Sequence, residues 1–211
     1  FAKRIIIGIL DLSPSLTAFG NTIPTSYLRL IPHQEAPTNV CWGDRNRSVL
    51  VRVPLGWVTK TNMVKNANPC ETGAVPYIPG KQTIEFRVPD GSADIYCTFA
   101  GLIIAAQHGL SMNEKHALKQ AKNLYVGDNI FKEEYKKKCN KLTHLPTSCW
   151  ESADCLDKKR SYFEKNKIFP AGTVDRIIRH LKLYYDKDLS KKLYGKNDEI
   201  RKIVDKYMHC M

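Results

Sequence analysis

No CxxC pair occurs among the seven cysteines, Cys41, Cys70, Cys97, Cys139, Cys149, Cys155 and Cys210. Their number is odd and no signal-peptide pattern precedes them, which argues against a disulfide framework and for a reducing, cytoplasmic setting. Cys139, His144, Cys149 and Cys155 lie near one another, but their spacing matches no usual zinc-ligand pattern. Long apolar runs are also missing. The longest, Ile95 to Ala106, contains Thr98 and is flanked by Asp94 and Gln107. A membrane span needs roughly 20 apolar residues, so this run is expected to be a buried core helix and no membrane partner is expected. Acidic residues are scarce, 21 against 33 Lys and Arg, for a net charge of +12. Many of the lysines follow Met112, among them Lys136, Lys137 and Lys138. They are scattered and lack aromatics at a groove-like spacing, which fits a solvated helical surface better than a nucleic-acid interface. Internal repeats and low-complexity tracts are absent. The opening run FAKRIIIGIL has helical character but no N-cap before it, so the chain is expected to be the C-terminal part of a longer protein.

What is present is enough for a core. The hydrophobic fraction is 43%, ordinary for a globular chain. Residues 1–12 predict a helix ending before Pro14, and residues 13–25, rich in Ser, Thr, Gly and Pro, predict a loop. An irregular, Pro-bounded segment follows at 26–38. Residues 38–43 and 47–53 predict two strands joined in a hairpin by the polar turn Gly43-Asp44-Arg45-Asn46. Residues 54–80 carry many Gly, Pro and Asn and no period, which predicts a long loop. Alternation predicts a strand at 82–88, with Ile84, Phe86 and Val88 on one face. Asp90 or Ser92 is expected to cap a helix running to about His108 and stopped by Gly109. Beyond it, residues 111–139 are Lys-rich and weakly helical. Ser148 with Glu151 three residues later predicts a capped helix, and 173–185 and 197–209 read as amphipathic helices, the first with Val174, Ile177, Ile178, Leu181 and Tyr184 at helical spacing. The pattern is α+β: strands packed with helices over 1–110, then a helical, Lys-rich region over 111–211.

The chemistry concentrates in a run of arginines set among the strands. Arg29 stands in SYLRLIPHQEAP; Arg45, Arg47 and Arg52 in WGDRNRSVLVRVP; and Arg87, two residues after Glu85, in IEFRVPD. Guanidinium forks match carboxylate and phosphate oxygens, and several converging from separate strands repel one another unless an anion lies between them. Ion pairing with Asp44, Asp90 or Glu35 is the other reading open at this point. Arg47 and Arg52 differ in parity, so a regular strand cannot aim both at one ligand; one must lie in the turn or at a bulge. Glu85 shares a strand face with Arg87. It is either a same-face ion pair or a ligand for a hard cation such as Mg²⁺, which takes carboxylates together with phosphate oxygens. Glu35, with His33 nearby, sits in a loop, where a carboxylate can accept a proton or close over a substrate.

In order and wording these segments resemble the glutamine synthetases. SYLRLIPHQEAP and WGDRNRSVLVRVP are similar to the family's substrate arginine, Glu-bearing flap and RNRS pair. IEFRVPDGSADIY resembles the segment where a metal-binding Glu and a substrate Arg precede a long helix, with Asp94 in the place of an Asn. LSPSLTAFGN, KNLY and LPTS fall at matching places. The resemblance implies an ATP-dependent glutamate–ammonia ligase working through a γ-glutamyl phosphate with Mg²⁺ or Mn²⁺, and a partial catalytic sheet or barrel of antiparallel strands. It implies that Arg29 and Arg87 bind glutamate and that Glu35 on the flap takes a proton from ammonium. Arg47 would contact the ATP phosphates and the phosphoryl group in transfer, with Arg52 and Arg45 at the nucleotide, while Glu85 would hold a metal ion. It also implies homo-oligomeric rings, and it aligns Tyr125 with a tyrosine that some members carry adenylylated. The remaining metal ligands of the family precede these motifs, so the chain by itself is expected to be inactive. A γ-glutamyl ligase for another amine, or a non-catalytic piece that assembles with a full synthetase, are the alternatives.

Overall fold

The computed structural model describes residues 1–31, 36–54, 68–70, 72–74 and 83–209. The flap residues His33 and Glu35, and most of the expected 54–80 loop, lie outside the described residues. The first helix, α1 (Ala2–Gly20), runs through Pro14 instead of stopping before it. A proline inside a helix leaves the carbonyl four residues back without its amide donor. Here the Ser13 hydroxyl donates to that carbonyl, Leu10 O, at 2.8 Å, and the Thr17 hydroxyl donates to Pro14 O at 2.7 Å. Nearly every residue from Ile6 to Gly20 is buried, so tertiary packing overrides the local break. The expected loop at 13–25 is thus mostly helix, and a second short helix, α2 (Pro24–Arg29), follows with Pro24 at its first position.

Among the described residues three short strands form one sheet in the order β1 (Trp42–Asp44), β2 (Val51–Val53), β3 (Glu85–Phe86). β2 and β3 are antiparallel, but β1 and β2 are parallel, with Trp42 opposite Val51 and Asp44 opposite Val53. The expected hairpin is therefore wrong in detail. The reason is local: Arg45 takes φ +53°, its amide bonds to Val53 O at 2.8 Å, and the chain loops back to start β2 beside Cys41 rather than folding over a two-strand turn.

α3 (Ile95–Ser111) is capped by Asp94, whose carboxylate accepts the Cys97 amide at 2.9 Å. The expected caps serve elsewhere: Asp90 accepts the Ser92 amide and hydroxyl, and Ser92 accepts the Thr22 amide, tying the end of α1 to the end of β3. Gly109 does not stop α3; it is buried inside the helix against α1. A Cβ there would lie 2.0 Å from Arg4 O, and one on Gly8 would lie 2.0 Å from Ala105 O. Only glycine lets the two antiparallel backbones approach this closely. Nor is α3 buried all round: Ile95, Tyr96, Phe99 and Ile103 are more than half exposed on its other side. No single helix among the described residues is long and apolar enough to cross a membrane.

α4 (Glu114–Asn123) and a short helix α5 (Lys136–Cys139) lead to α6 (Cys149–Glu164). Ser148 caps α6 as expected, accepting the Glu151 amide at 3.1 Å, while Glu151 reaches back to Thr147. Asp186, buried, accepts the Cys149 and Trp150 amides at the same helix end. α7 (Ala171–Lys182) packs on α6, and α8 (Leu189–Lys192) and α9 (Asn197–Tyr207) pack on α2. The main core joins α1, the sheet, α3, α6 and α7, with Phe19, Phe163 and Phe169 in mutual ring contact at 5.1–6.0 Å. Residues on both sides of Gly109 share it.

Candidate functional site

The sheet brings three of the sequence-predicted residues together, Arg52, Glu85 and Arg87. Arg52 and Glu85 are directly opposite in the β2–β3 register, so a strand pairing, not a loop, sets their distance. Arg52 Nη2 lies 2.5 Å from Glu85 Oε2, and Arg87 Nε lies 3.2 Å from Glu85 Oε1. One carboxylate is thus shared by two guanidinium groups. The Arg87 side chain is only 11% exposed and Arg52 24%, whereas Glu85 is 41% exposed. The arginines sit low and the carboxylate at the rim. Arg52 Nε is buried without a hydrogen-bond partner among the described residues. Arg29, at the end of α2, donates from Nη2 to Val88 O at 2.5 Å, beside Arg87 in the chain. The Asn21 amide donates to the same carbonyl at 2.9 Å, which fixes the α1–α2 junction to the strand that bears the cluster.

Arg45 and Arg47 lie elsewhere, on the loop between β1 and β2. With Asp44, Asn46 and Ser48 they line one side of a cavity of about 450 Å³, and Gly127, Asp128 and Asn129 line the other. Arg52 is in the strand and Arg47 in the turn, as their difference in parity requires. Both loop arginines are exposed. Across the cavity, the Lys132 ammonium bonded to Asp128 holds that carboxyl below its ordinary range. Tyr125 packs edge-on against Trp42 and donates to Asp44 at 3.4 Å. Burial first, and the Asp44 carboxylate next, raise its phenol above the ordinary value.

Among the described residues the cysteines make no metal-binding group. Cys139 Sγ and His144 Nδ1 each meet Asn39, at 3.6 and 3.2 Å. Burial raises the thiols of Cys139, Cys155 and Cys149, which disfavours thiolate chemistry. Nor do the described residues make a metal cage. No three of their His, Cys, Asp or Glu side chains lie close enough to hold an ion, and both oxygens of Glu85 are engaged by arginines. Among the described residues the arginine cluster holds one carboxylate, which does not by itself fit a bound Mg²⁺ or Mn²⁺.

A sequence profile described as "Glutamine synthetase, catalytic domain" matches residues 1–182. The chain belongs to the glutamine synthetase family. It is 30% identical over 177 residues to a glutamine synthetase from Streptomyces filamentosus, covering 84% of this chain and 32% of that protein. It is 34% identical over 160 residues to one from Pyrococcus abyssi, covering 75% of this chain and 30% of that one. It spans about a third of the length of these curated relatives. The fold superposes on a Plasmodium falciparum glutamine synthetase with TM-score 0.59 at 20% identity, over 88% of this chain and 38% of that one. A second structure, titled a novel glutamine synthase homolog, gives TM-score 0.58 at 21% identity, over 90% and 37%. The glutamine synthetase fold and the family membership read from the arginine motifs therefore stand.

Sequence reasoning missed the residues that hold the site rather than form it. The Val88 carbonyl shared by Arg29 and Asn21 left no mark in the sequence. Asn46 did: an Asn two residues before a Ser in a turn is a pattern in which the side chain folds back on its own backbone.

Proposed function

We propose that this chain is the arginine-bearing portion of an ATP-dependent glutamate–ammonia ligase. The observation that carries the reading is the cluster of Arg52, Glu85 and Arg87 with Arg29 alongside, in a chain whose family match runs over most of its length. In the first step a γ-carboxylate oxygen of glutamate bonds to the γ-phosphorus of ATP and ADP leaves. In the second, the ammonia nitrogen attacks the acyl carbon, inorganic phosphate leaves, and a proton passes to a carboxylate. Arg29 and Arg87 hold glutamate by its charged groups. Arg47 meets the ATP phosphates and the transferring phosphoryl group, whose charge it offsets. Arg52 and Arg45 contact the nucleotide, and Glu35 accepts the proton from ammonium while its flap excludes water. Glu85 would be one ligand to a divalent cation only with further ligands from the rest of the domain, since by itself it does not make a metal site.

Completion by the rest of a family catalytic domain, and assembly into rings, belong to this reading. They are supported by coverage of only a third of the relatives, by the incomplete metal set, and by the apolar side of α3 left open at Tyr96 and Phe99. The test is phosphate release and glutamine formation from ATP, glutamate and ammonia. The 211-residue chain alone is expected to be inactive, and a longer protein containing it active; turnover by the chain alone, or none by the longer protein, overturns the reading. Replacing ammonia with methylamine or ethanolamine separates a glutamine-forming enzyme from a ligase for another amine.

A further inference from the structure

We infer that Asn46 is a positioning residue for the two loop arginines, and that the segment Val126–Ile130 is the anchor it uses. This rests on the reading that Arg45 and Arg47 meet phosphate. Along the loop, burial alternates: Asp44, Arg45 and Arg47 are exposed, whereas Asn46 and Ser48 are buried. Asn46 uses its whole hydrogen-bonding capacity, two donors and two acceptor positions. Its Nδ2 donates to Val126 O at 3.1 Å and to Asp128 O at 2.5 Å. Its Oδ1 accepts the Ser48 amide at 2.9 Å and the Ser48 hydroxyl at 2.7 Å. Ser48 Oγ in turn accepts the Ile130 amide at 2.9 Å. The loop is therefore fastened by three hydrogen bonds to a segment some 80 positions away.

The approach is close on the strand side as well. Val126 N donates to Trp42 O at 2.8 Å, and a Cβ on Gly43 would lie 2.1 Å from Val126 O. Each arginine is a direct chain neighbour of Asn46, so the anchor fixes the backbone from which both side chains leave. Only Asn supplies two donors and two acceptors at this length. Asp lacks the donors, Ser is too short to reach both carbonyls, and an apolar residue would leave the Val126 and Asp128 carbonyls and the Ser48 amide without these partners. Two long side chains aimed at one polyanion lose less entropy on binding when their backbone is already fixed.

The probe is inorganic tripolyphosphate, titrated calorimetrically into the full chain, its Asn46→Ala, Asn46→Ser and Ser48→Ala variants, and Arg47→Ala. Amide exchange is followed at Ser48, Ile130 and the α1–α3 seam. The wild type is expected to bind and Arg47→Ala to lose most of that binding. Asn46→Ala is expected to bind about tenfold more weakly, as the loss of two anchoring hydrogen bonds would give. Ser48→Ala is expected to fall between. In each anchor variant, exchange accelerates at residues 48 and 130 while the seam is unchanged. If Asn46→Ala does not fold, Asn46→Ser carries the same test with one partner retained. Wild-type binding retained in a folded Asn46 variant overturns the inference, as does weakening that follows loss of seam protection instead of loop protection. Absence of tripolyphosphate binding in the wild type overturns the phosphate reading instead, and unchanged exchange at residues 48 and 130 then overturns the anchor independently.

Discussion

The α1–α3 seam and the three-stranded sheet differ in almost every physical respect. The seam is long, apolar and glycine-lined, with two backbones in direct contact at Gly8 and Gly109. Among the described residues the sheet has three short strands and carries Arg52, Glu85 and Arg87 on partly solvated positions. The first region is built for packing, and the chemistry proposed above falls in the second. Charge gathered in a seam would be costly to desolvate, and a sheet this small could not stand without a helical platform. The two are tied together where the Asn21 amide and the Arg29 guanidinium share Val88 O, and again where Gly20 O accepts the Asp90 amide and Phe19 O the Asp94 amide.

The sharpest way to break this division is to substitute glycines on and off the seam. Gly109→Ala or Gly8→Ala must push two backbones apart, because the new methyl meets main chain on the opposite helix. The expected loss is about 3 kcal/mol, a fall in Tm of roughly 6–12 °C for a chain of this size. Gly172 in α7 has nothing within 4 Å of its Cβ position. Gly172→Ala is expected to be neutral or to stabilise by up to about 1 kcal/mol. Calorimetric melting of the three variants checks this; equal shifts at 8, 109 and 172 would remove the seam from the account. Phe163→Ala probes the same region, since Phe163 is fully buried between Phe19 and Phe169. It is expected to cost about 3–5 kcal/mol.

On the sheet the same measurement should show little. Glu85→Gln removes the charge shared by Arg52 and Arg87, but the carboxylate is partly exposed, so the loss of stability is expected to be about 1 kcal/mol or less. It should shrink further in high salt. In a completed enzyme Arg87→Ala is expected to lower turnover about 100-fold or more while Tm moves by only a few degrees. A large melting shift with little change in turnover would reverse the roles of the two regions.

The division also explains what could be read in advance. The residues of the proposed site announced themselves: the arginines and Glu85 stood out by type, order and spacing, and the strand alternation put Glu85 and Arg87 together. The Ser148–Glu151 cap was legible for the same reason, since it is local. What failed depended on partners far along the chain. Pro14 reads as a helix end unless Ser13 supplies the missing donor and the core encloses the turn. Gly109 reads as a helix stop until Gly8 and Arg4 are seen against it. The β1–β2 turn reads as a hairpin unless the left-handed Arg45 and the Asn46 anchor to Val126 are known. The apolar run at 95–106 told of burial, but one side of α3 is open, because hydrophobicity reports a need for a partner and not where the partner is.

The smallest expected effect lies where the two regions adjoin, at Cys97 in the first turn of α3. Burial first, and its hydrogen bond and charge contact with Asp94 next, push its thiol up to about 11. The folded state therefore keeps its proton at a pH where the unfolded chain has lost one. Stability from this group is complete below about pH 9, the ordinary thiol value, and declines as pH rises toward about 11. Because Cys97 is substantially solvated, the loss is modest, and Cys97→Ser should flatten part of the alkaline slope. Asp94→Asn separates the causes: it removes the neighbouring charge but keeps an oxygen to cap α3. If Asp94→Asn lowers the midpoint of Cys97 alkylation against pH while Tm at pH 7 is nearly unchanged, the cap and the titration are separable at this helix end. If both move together, the Asp94 charge holds the start of α3, and with it the end of the seam where Phe19 O accepts the Asp94 amide.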